Sequence, residues 1–338
     1  MGRITEVEQP LVGHAFPDGV GHRKTPNSAV KNSYGLMCLR HGAKLILRPD
    51  CLLLDAIFVL LCRTKFVIMA YNLLRGKRGI IFGALDENSI AWKTALKVKE
   101  EGGQFTLTNA PIAMRMGKIK ELGDQCGAEI IPADATSESD LATLFSKSVE
   151  VLGGKLDFVL HSIGMSPNVR KDRPYGDLNY EWFMKTLDIS GLSFHKVLQT
   201  AEKTDSMNEW GSIVALTYIA AQRSYPDYSD MAQAKAVLES IARSYGARFA
   251  KLKKVRVNTI SQSPTMTTAG AGISGFDVFF DFAKMMSPLG NATAEDCANY
   301  IVLMFSDYSR MVTMQNLMHD GGFSTSGITE ELVERLKK

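Results

Sequence analysis

Thr217-Tyr218-Ile219-Ala220-Ala221-Gln222-Arg223-Ser224-Tyr225-Pro226-Asp227-Tyr228-Ser229-Asp230-Met231-Ala232-Gln233-Ala234-Lys235 follows a strand-like run, Ser212-Ile213-Val214-Ala215-Leu216, and opens a helix. The stretch therefore lies at the carboxyl end of a strand, where open α/β sheets bind ligands. Proline is tolerated in a first helical turn, because its missing N–H would be unpaired there in any case. The spacing thus predicts a helix beginning near Pro226-Asp227-Tyr228. On that helix Tyr228 and Lys235, seven positions apart, share one face. Roughly 10 Å of rise separates them, enough for a ribose. Such a set suits hydride transfer to a simple or conjugated carbonyl, whose developing alkoxide or enolate needs a hydrogen-bond donor. A tyrosine hydroxyl is an acid of pKa about 10, and a nearby lysine cation lowers that value by favouring the phenolate. Taken alone, Tyr218, Tyr225 and Tyr228 are more simply packing residues, and Lys235 a solvated helix residue.

The flanking chain changes that balance. Arg78-Gly79-Ile80-Ile81-Phe82 reads as a buried parallel strand. It leads through Gly83-Ala84-Leu85-Asp86-Glu87-Asn88-Ser89 into a helix from Ile90, which ends at Gly102-Gly103. A helix N-terminus attracts phosphate through its unpaired N–H groups; Ser89 can add a hydroxyl there or simply cap the helix. The spacing is not G-x-G-x-x-G. Gln104–Thr108 is a second strand, with Asn109, Ala110 and Pro111 where an acidic residue would hold a ribose 2′-hydroxyl. Arg115 is available for a 2′-phosphate. A helix over about Ile112–Cys126 and a third strand, Glu129–Pro132, lead to Asp134-Ala135. Asp134 is either a turn residue or an adenine contact. Leu156–Leu160 is a fourth strand, running into His161-Ser162-Ile163-Gly164-Met165-Ser166-Pro167. A long helix over about Tyr180–Glu202 precedes the fifth strand, and Val255–Ile260 is the sixth. Glycines 270, 272 and 275 followed by the apolar Phe276–Met286 suit either a mobile lid or a helix packed on the core. Gln315–His319 is the seventh strand. Alternation of this kind predicts an α/β, doubly wound, Rossmann-like single domain with a seven-stranded parallel sheet over residues 69–338.

The first 68 residues read differently. They are basic and lack periodicity, and their apolar run Leu52–Leu61 is too short to span a bilayer and contains Asp55. That run also lies too far along for a secretory signal. A leader outside the fold is expected, with membrane association disfavoured. The 338 residues are 45% apolar with formal charge +3, which argues against nucleic acid as the main partner. Five scattered cysteines indicate reduced thiols and a cytoplasmic setting. The histidines show no zinc-like spacing, so no metal site is expected.

Together, Gly83-x5-Ser89-Ile90-Ala91, His161-Ser162-Ile163-Gly164, Tyr218-x9-Tyr228-x6-Lys235, Arg256-Val257-Asn258 and Asp320-Gly321-Gly322-Phe323-Ser324 resemble the enoyl-acyl-carrier-protein reductases of bacterial fatty-acid synthesis. These are a branch of the short-chain dehydrogenase/reductase superfamily. The likeness covers about Met69–Phe323. Its discriminating feature is Tyr-x6-Lys; ordinary superfamily members use Tyr-x3-Lys with a serine about thirteen residues before the tyrosine, and here positions 232 and 215 are both alanine. The resemblance implies that NADH reduces a trans-2-enoyl thioester at Cβ, after which Cα is protonated. It implies that Tyr228 donates to the thioester oxygen, that Lys235 holds the nicotinamide ribose, and that Tyr218 is the second active-site tyrosine. It places Gly83, Ser89, Ile90, Asp134, Ala135, Ile163, Thr265, Met266, Thr267, Thr268 and Ala269 at the cofactor, and Ser166 at the substrate. An enoyl-loaded acyl carrier protein is the implied partner and a homotetramer the implied assembly. NADPH is the alternative cofactor. A reductase of ketoacyl thioesters or of a secondary alcohol is the alternative activity, and a regulatory nucleotide-binding protein the alternative class.

Overall fold

The computed structural model describes residues 70–337, apart from 227 and 272–274. The leader expected over residues 1–68 lies outside the described residues. The elements, in order, are β1 (Arg78–Phe82), α1 (Ile90–Glu100), β2 (Gln104–Thr108), α2 (Pro111–Met116), α3 (Ile119–Cys126), α4 (Glu138–Val151), β3 (Leu156–His161), the single turn α5 (Pro167–Arg170), α6 (Tyr180–Leu187), α7 (Ser193–Lys203), β4 (Met207–Thr217), α8 (Met231–Lys253), β5 (Arg256–Gln262), α9 (Thr268–Ala271), α10 (Phe276–Met286), α11 (Ala294–Phe305), β6 (Asn316–His319) and α12 (Glu330–Leu336). The strands form one parallel sheet in the order β2-β1-β3-β4-β5-β6. From β1 the chain moves out to β2 and then returns across β1 to build β3. That reversal opens a crevice at the carboxyl ends of β1 and β3, the ligand position of doubly wound sheets.

Alternate strand residues feed two apolar layers. Ile80 and Phe82 join the core beneath α4, α7 and α8, while Ile81 joins the core beneath α1, α3 and α11. Successive side chains on a strand point to opposite faces, and both faces here are covered, so β1 reads as an uninterrupted apolar run. On β3, Leu156 and Val159 lie in one layer and Phe158 and Leu160 in the other. The break in alternation coincides with a register shift against β4 between Leu156 and Phe158.

Three expectations about elements need correction. The sheet has six strands among the described residues; the expected third strand at Glu129–Pro132 is a single bridge between Leu107 and Ile130. Leu107 N donates to Glu129 O and Ile131 N to Leu107 O. Ala133 N still donates to Asn109 O (3.1 Å) just past the end of β2 at Thr108, but no second bridge forms among the described residues. The Asn109 side chain donates to Ala84 O (3.0 Å) and accepts from Ala110 N (2.9 Å). The helix expected over Ile112–Cys126 is two, α2 and α3, broken at Gly117. There Lys118 N donates to Leu85 O (2.8 Å), and a Cβ at Gly117 would lie 2.5 Å from that oxygen. The helix expected over Tyr180–Glu202 is interrupted by a wider π turn at Asp188–Leu192. Gly191 within that turn packs on α8, where a Cβ would lie 2.9 Å from Ala234 O. Turns of this kind are frequent beside functional sites.

Candidate active site

α8 begins at Met231 rather than near Pro226, so Tyr228 lies in the loop before the helix and does not share its face with Lys235. Ser229 adopts the left-handed conformation (φ 47°), which no helical path accommodates. The next residue, Asp230, occupies the capping position but makes no side-chain cap to α8.

The sheet, rather than a helix face shared with Tyr228, holds Lys235. Lys235 is buried, and its ammonium donates to Ile163 O (2.9 Å) after β3 and to Leu216 O (3.0 Å) in β4. An ammonium has three N–H donors, so one remains uncommitted among the described residues. Burial pushes the Lys235 amine down to about 8, partly offset by the Glu239 carboxylate one helical turn on. Glu239 is itself buried and accepts from Thr217 Oγ1 (2.9 Å), Gln222 Nε2 (2.9 Å) and Asn316 Nδ2 (3.1 Å).

The tyrosines pack into a cluster, edge-on and tilted rather than face to face. The Tyr218 ring lies 5.3 Å from Tyr228 and 5.3 Å from Tyr225, centroid to centroid. Phe279 of α10 and Phe323 close over Tyr225 at 5.7 and 6.4 Å. Burial pushes the Tyr228 phenol up to about 12 and raises that of Tyr218 as well, with Tyr225, Tyr228 and Asp320 adding to the latter. The expected lowering by the lysine cation is absent, and loss of solvent alone sets the direction at Tyr228. Both phenols keep their protons near neutral pH and can act as donors.

The remaining expected residues divide by what holds them. Gly83 has φ 91°, and a Cβ there would lie 1.9 Å from Ser162 O, so the ends of β1 and β3 approach as closely as only glycine permits. Ser89 caps α1, accepting from Trp92 N (3.4 Å) and donating to Asp86 O (2.7 Å), with Ile90 the first helical residue. Asp134 serves a turn: its Oδ1 accepts from Thr136 N (2.8 Å) and Thr136 Oγ1 (2.7 Å). Ala135 is buried in the core. Thr265 is buried and donates to Ser263 O (3.0 Å), Met266 is exposed, and Thr267 accepts from Gly270 N (3.0 Å). Thr268 and Ala269 form the start of α9. Ser166 is buried, donating to Asp230 Oδ1 (2.6 Å) and accepting from Val169 N (3.0 Å). Arg115 is exposed in the last turn of α2. In α10, Ala283 and Met286 are buried while Val278 and Phe282 are exposed.

Sequence reading missed three groups beside the tyrosines and lysine. Glu239 was detectable as the acid four positions after Lys235, on the same helix face. Asp230 looks like an ordinary helix cap, and nothing in its neighbours along the chain marks its inward turn. His161 is fully buried, with Nε2 2.9 Å from Ser193 Oγ; burial and the Lys235 charge push it down to about 3, so it is neutral.

A family model described as enoyl-(acyl carrier protein) reductase matches residues 83–324, which takes in every site residue above. The chain belongs to the enoyl-acyl-carrier-protein reductase family. Among curated relatives, enoyl-[acyl-carrier-protein] reductase [NADH] 1 of Rhizobium meliloti is 33% identical over 261 residues, covering 77% of this chain and 94% of the relative. Among solved structures, the FabI–NADH complex of Alistipes finegoldii is 58% identical with a TM-score of 0.77, covering 78% of this chain and 93% of that one. The Bacillus cereus enoyl-acyl carrier protein reductase, solved with NADP+ and an indole naphthyridinone, is 28% identical with a TM-score of 0.70, covering 76% and 99%. As in the rest of this reductase family, the fold is a Rossmann-like parallel sheet.

Proposed function

We infer that the chain performs its family's reaction, reducing an enoyl-acyl-carrier-protein thioester with NADH in fatty-acid elongation. The observation that carries this reading is Lys235: a buried ammonium, tied to the ends of β3 and β4, with one N–H left for a ligand. That donor suits a ribose hydroxyl. Gly83 supports it from the other side, since its missing side chain lets the end of β1 meet the post-β3 loop at the carboxyl edge where such sheets bind dinucleotides. These residues fit a dinucleotide. NADH supplies the hydride for Cβ of the enoyl group.

Tyr228 donates a hydrogen bond to the thioester oxygen, where negative charge gathers as the hydride arrives. Its phenol is half-buried beside the Tyr218 ring, and a donor already fixed in place needs no reorganisation as charge develops. Tyr218, ring to ring with Tyr228, positions the acyl chain and the tyrosine. Lys235 holds the ribose, and the Ser89 end of α1 lies at the phosphates. Thr265–Ala269, Asp134 and Ala135 contact the cofactor, and Ser166 the substrate. The acyl carrier protein is the partner, a homotetramer the assembly and the cytoplasm the setting. No described helix is long and apolar enough to cross a membrane.

The test is NADH absorbance on adding crotonyl or acetoacetyl thioester. Loss with crotonyl alone supports the reading. Loss with acetoacetyl alone would make the chain a ketoacyl reductase, and loss with neither would leave a nucleotide-binding protein. NADH is preferred; a k_cat/KM ratio favouring NADPH and abolished by Arg115→Ala would reverse that.

A further inference from the structure

Asp230 is a completely buried carboxylate. It accepts from Ser166 Oγ (2.6 Å), Asn168 Nδ2 (2.7 Å) and Thr186 Oγ1 (2.9 Å). All three donors are uncharged. Burying a carboxylate is costly unless it is fully hydrogen-bonded, and bonds to an ionised acceptor are roughly twice as strong as neutral ones. At the first position of a helix an aspartate ordinarily turns to the helix's free N–H groups. Here it makes no such bond. The side chain is turned inward, to donors before α5, within α5 and within α6.

Those donors are themselves fixed. Asn168 accepts from Asn179 N (3.1 Å) and donates to Asn179 O (3.1 Å), so its amide cannot flip without losing bonds. Ser166 accepts from Val169 N (3.0 Å) while donating to the carboxylate. The anchored point lies two residues from Tyr228. Between them, Ser229 has a positive φ of 47° and a buried hydroxyl without a partner among the described residues. Such a conformation persists only where the flanks over-determine it. Lys235 is five residues further on and has its own anchors, Ile163 O and Leu216 O.

We propose that Asp230 is a positioning residue that pins the Tyr228 loop to the α5–α6 segment, setting the place of the donor phenol independently of Lys235. The proposal rests on Tyr228 being the donor. Freed of its pin, Ser229 relaxes and the phenol shifts, while the ribose-binding ammonium stays. A displacement near 1 Å can cost on the order of 10²-fold in rate.

The test uses the full chain and Asp230→Ala, Asp230→Asn, Tyr228→Phe and the Asp230→Ala/Tyr228→Phe double variant. NADH dissociation constant and stoichiometry count folded sites, and k_cat with crotonyl thioester is expressed per site. Asp230→Ala is expected to lower k_cat by about tenfold or more while NADH affinity stays within about twofold. Asp230→Asn keeps an acceptor for Asn168 and is expected to recover most of the rate. In the Tyr228→Phe background Asp230→Ala is expected to cost little more, since residues acting as one unit are non-additive. If Asp230→Ala fails to fold, Thr186→Val removes one donor and is expected to lower k_cat at unchanged NADH affinity. A normal k_cat per site in Asp230→Ala, or in Thr186→Val where Asp230→Ala does not fold, overturns the proposal. So does an equal loss with and without Tyr228. Normal turnover in Tyr228→Phe would instead overturn the donor assignment.

Discussion

Tyr228 and Lys235 are each shifted by burial, in opposite directions and with different consequences. The phenol, raised to about 12, stays a donor across any working pH. Tyr228→Phe keeps the ring and removes that donor, so a k_cat loss on the order of 10²–10³ is expected, with NADH affinity little changed. Tyr218→Phe should be milder, and Lys235→Met should weaken NADH binding. Near-normal turnover in Tyr228→Phe alongside a dead Tyr218→Phe would mean the two roles are reversed. The amine is lowered to about 8, against about 10.4 in a solvated lysine. As pH rises through 8 the unliganded protein loses this ammonium and its charge-assisted contact. NADH affinity is therefore expected to be flat below pH 7 and to weaken above 8, with no such break in Lys235→Met. A parent titration curve that is flat to pH 9.5 would remove Lys235 from the ribose. For stability the sign is opposite. Between 8 and 10.5 the unfolded chain holds this proton more tightly, so the penalty this group imposes on folding shrinks as pH rises through that window.

At the scale of elements, the sequence was most legible where burial on two faces makes strands of plain apolar runs, as at β1 and β4. It was least legible where a contact distant along the chain ends an element. Pro226 is a sound helix-start signal, yet α8 waits until Met231 because Asp230 is committed to Ser166, Asn168 and Thr186. Glu129–Pro132 has strand composition, but it forms only one bridge with β2, which ends at Thr108. Gly117 and Gly191 break expected helices through close approaches to Leu85 and Ala234 that local propensity does not encode. Gly83 illustrates the opposite case, a residue whose type already signals close backbone approach. Gly83→Ala would place a Cβ 1.9 Å from Ser162 O at φ 91°. A positive-φ penalty of about 1–3 kcal/mol is expected before the clash is counted, seen as a lower melting temperature together with weaker NADH binding. An alanine variant that melts with the parent would show that β1 and the post-β3 loop do not need this contact.

For the whole molecule, the question is where the folded unit begins. Among the described residues, the apolar layers on the two faces of the sheet draw on the chain from Leu73 onward. Leu74 is fully buried, and its N–H donates to Glu101 O (3.0 Å) at the end of α1. Leu73 N donates to the buried Glu101 carboxylate (3.2 Å), and Lys77 N to Leu74 O (2.9 Å). The turn from Leu73 to Gly76 is thus part of the fold, leading the chain into β1 between β2 and β3. Residues 1–68 showed no periodicity, and the family match starts only at Gly83. We therefore expect a chain lacking residues 1–68 to keep both its melting temperature and its enoyl-thioester turnover. A chain lacking residues 1–76 loses Leu74 from the core and leaves Glu101 without its backbone donors. Removing a buried leucine side chain alone costs about 2–5 kcal/mol, so a large fall in melting temperature is expected for the longer deletion and none for the shorter. Equal destabilisation by both would place part of the leader within the folded unit.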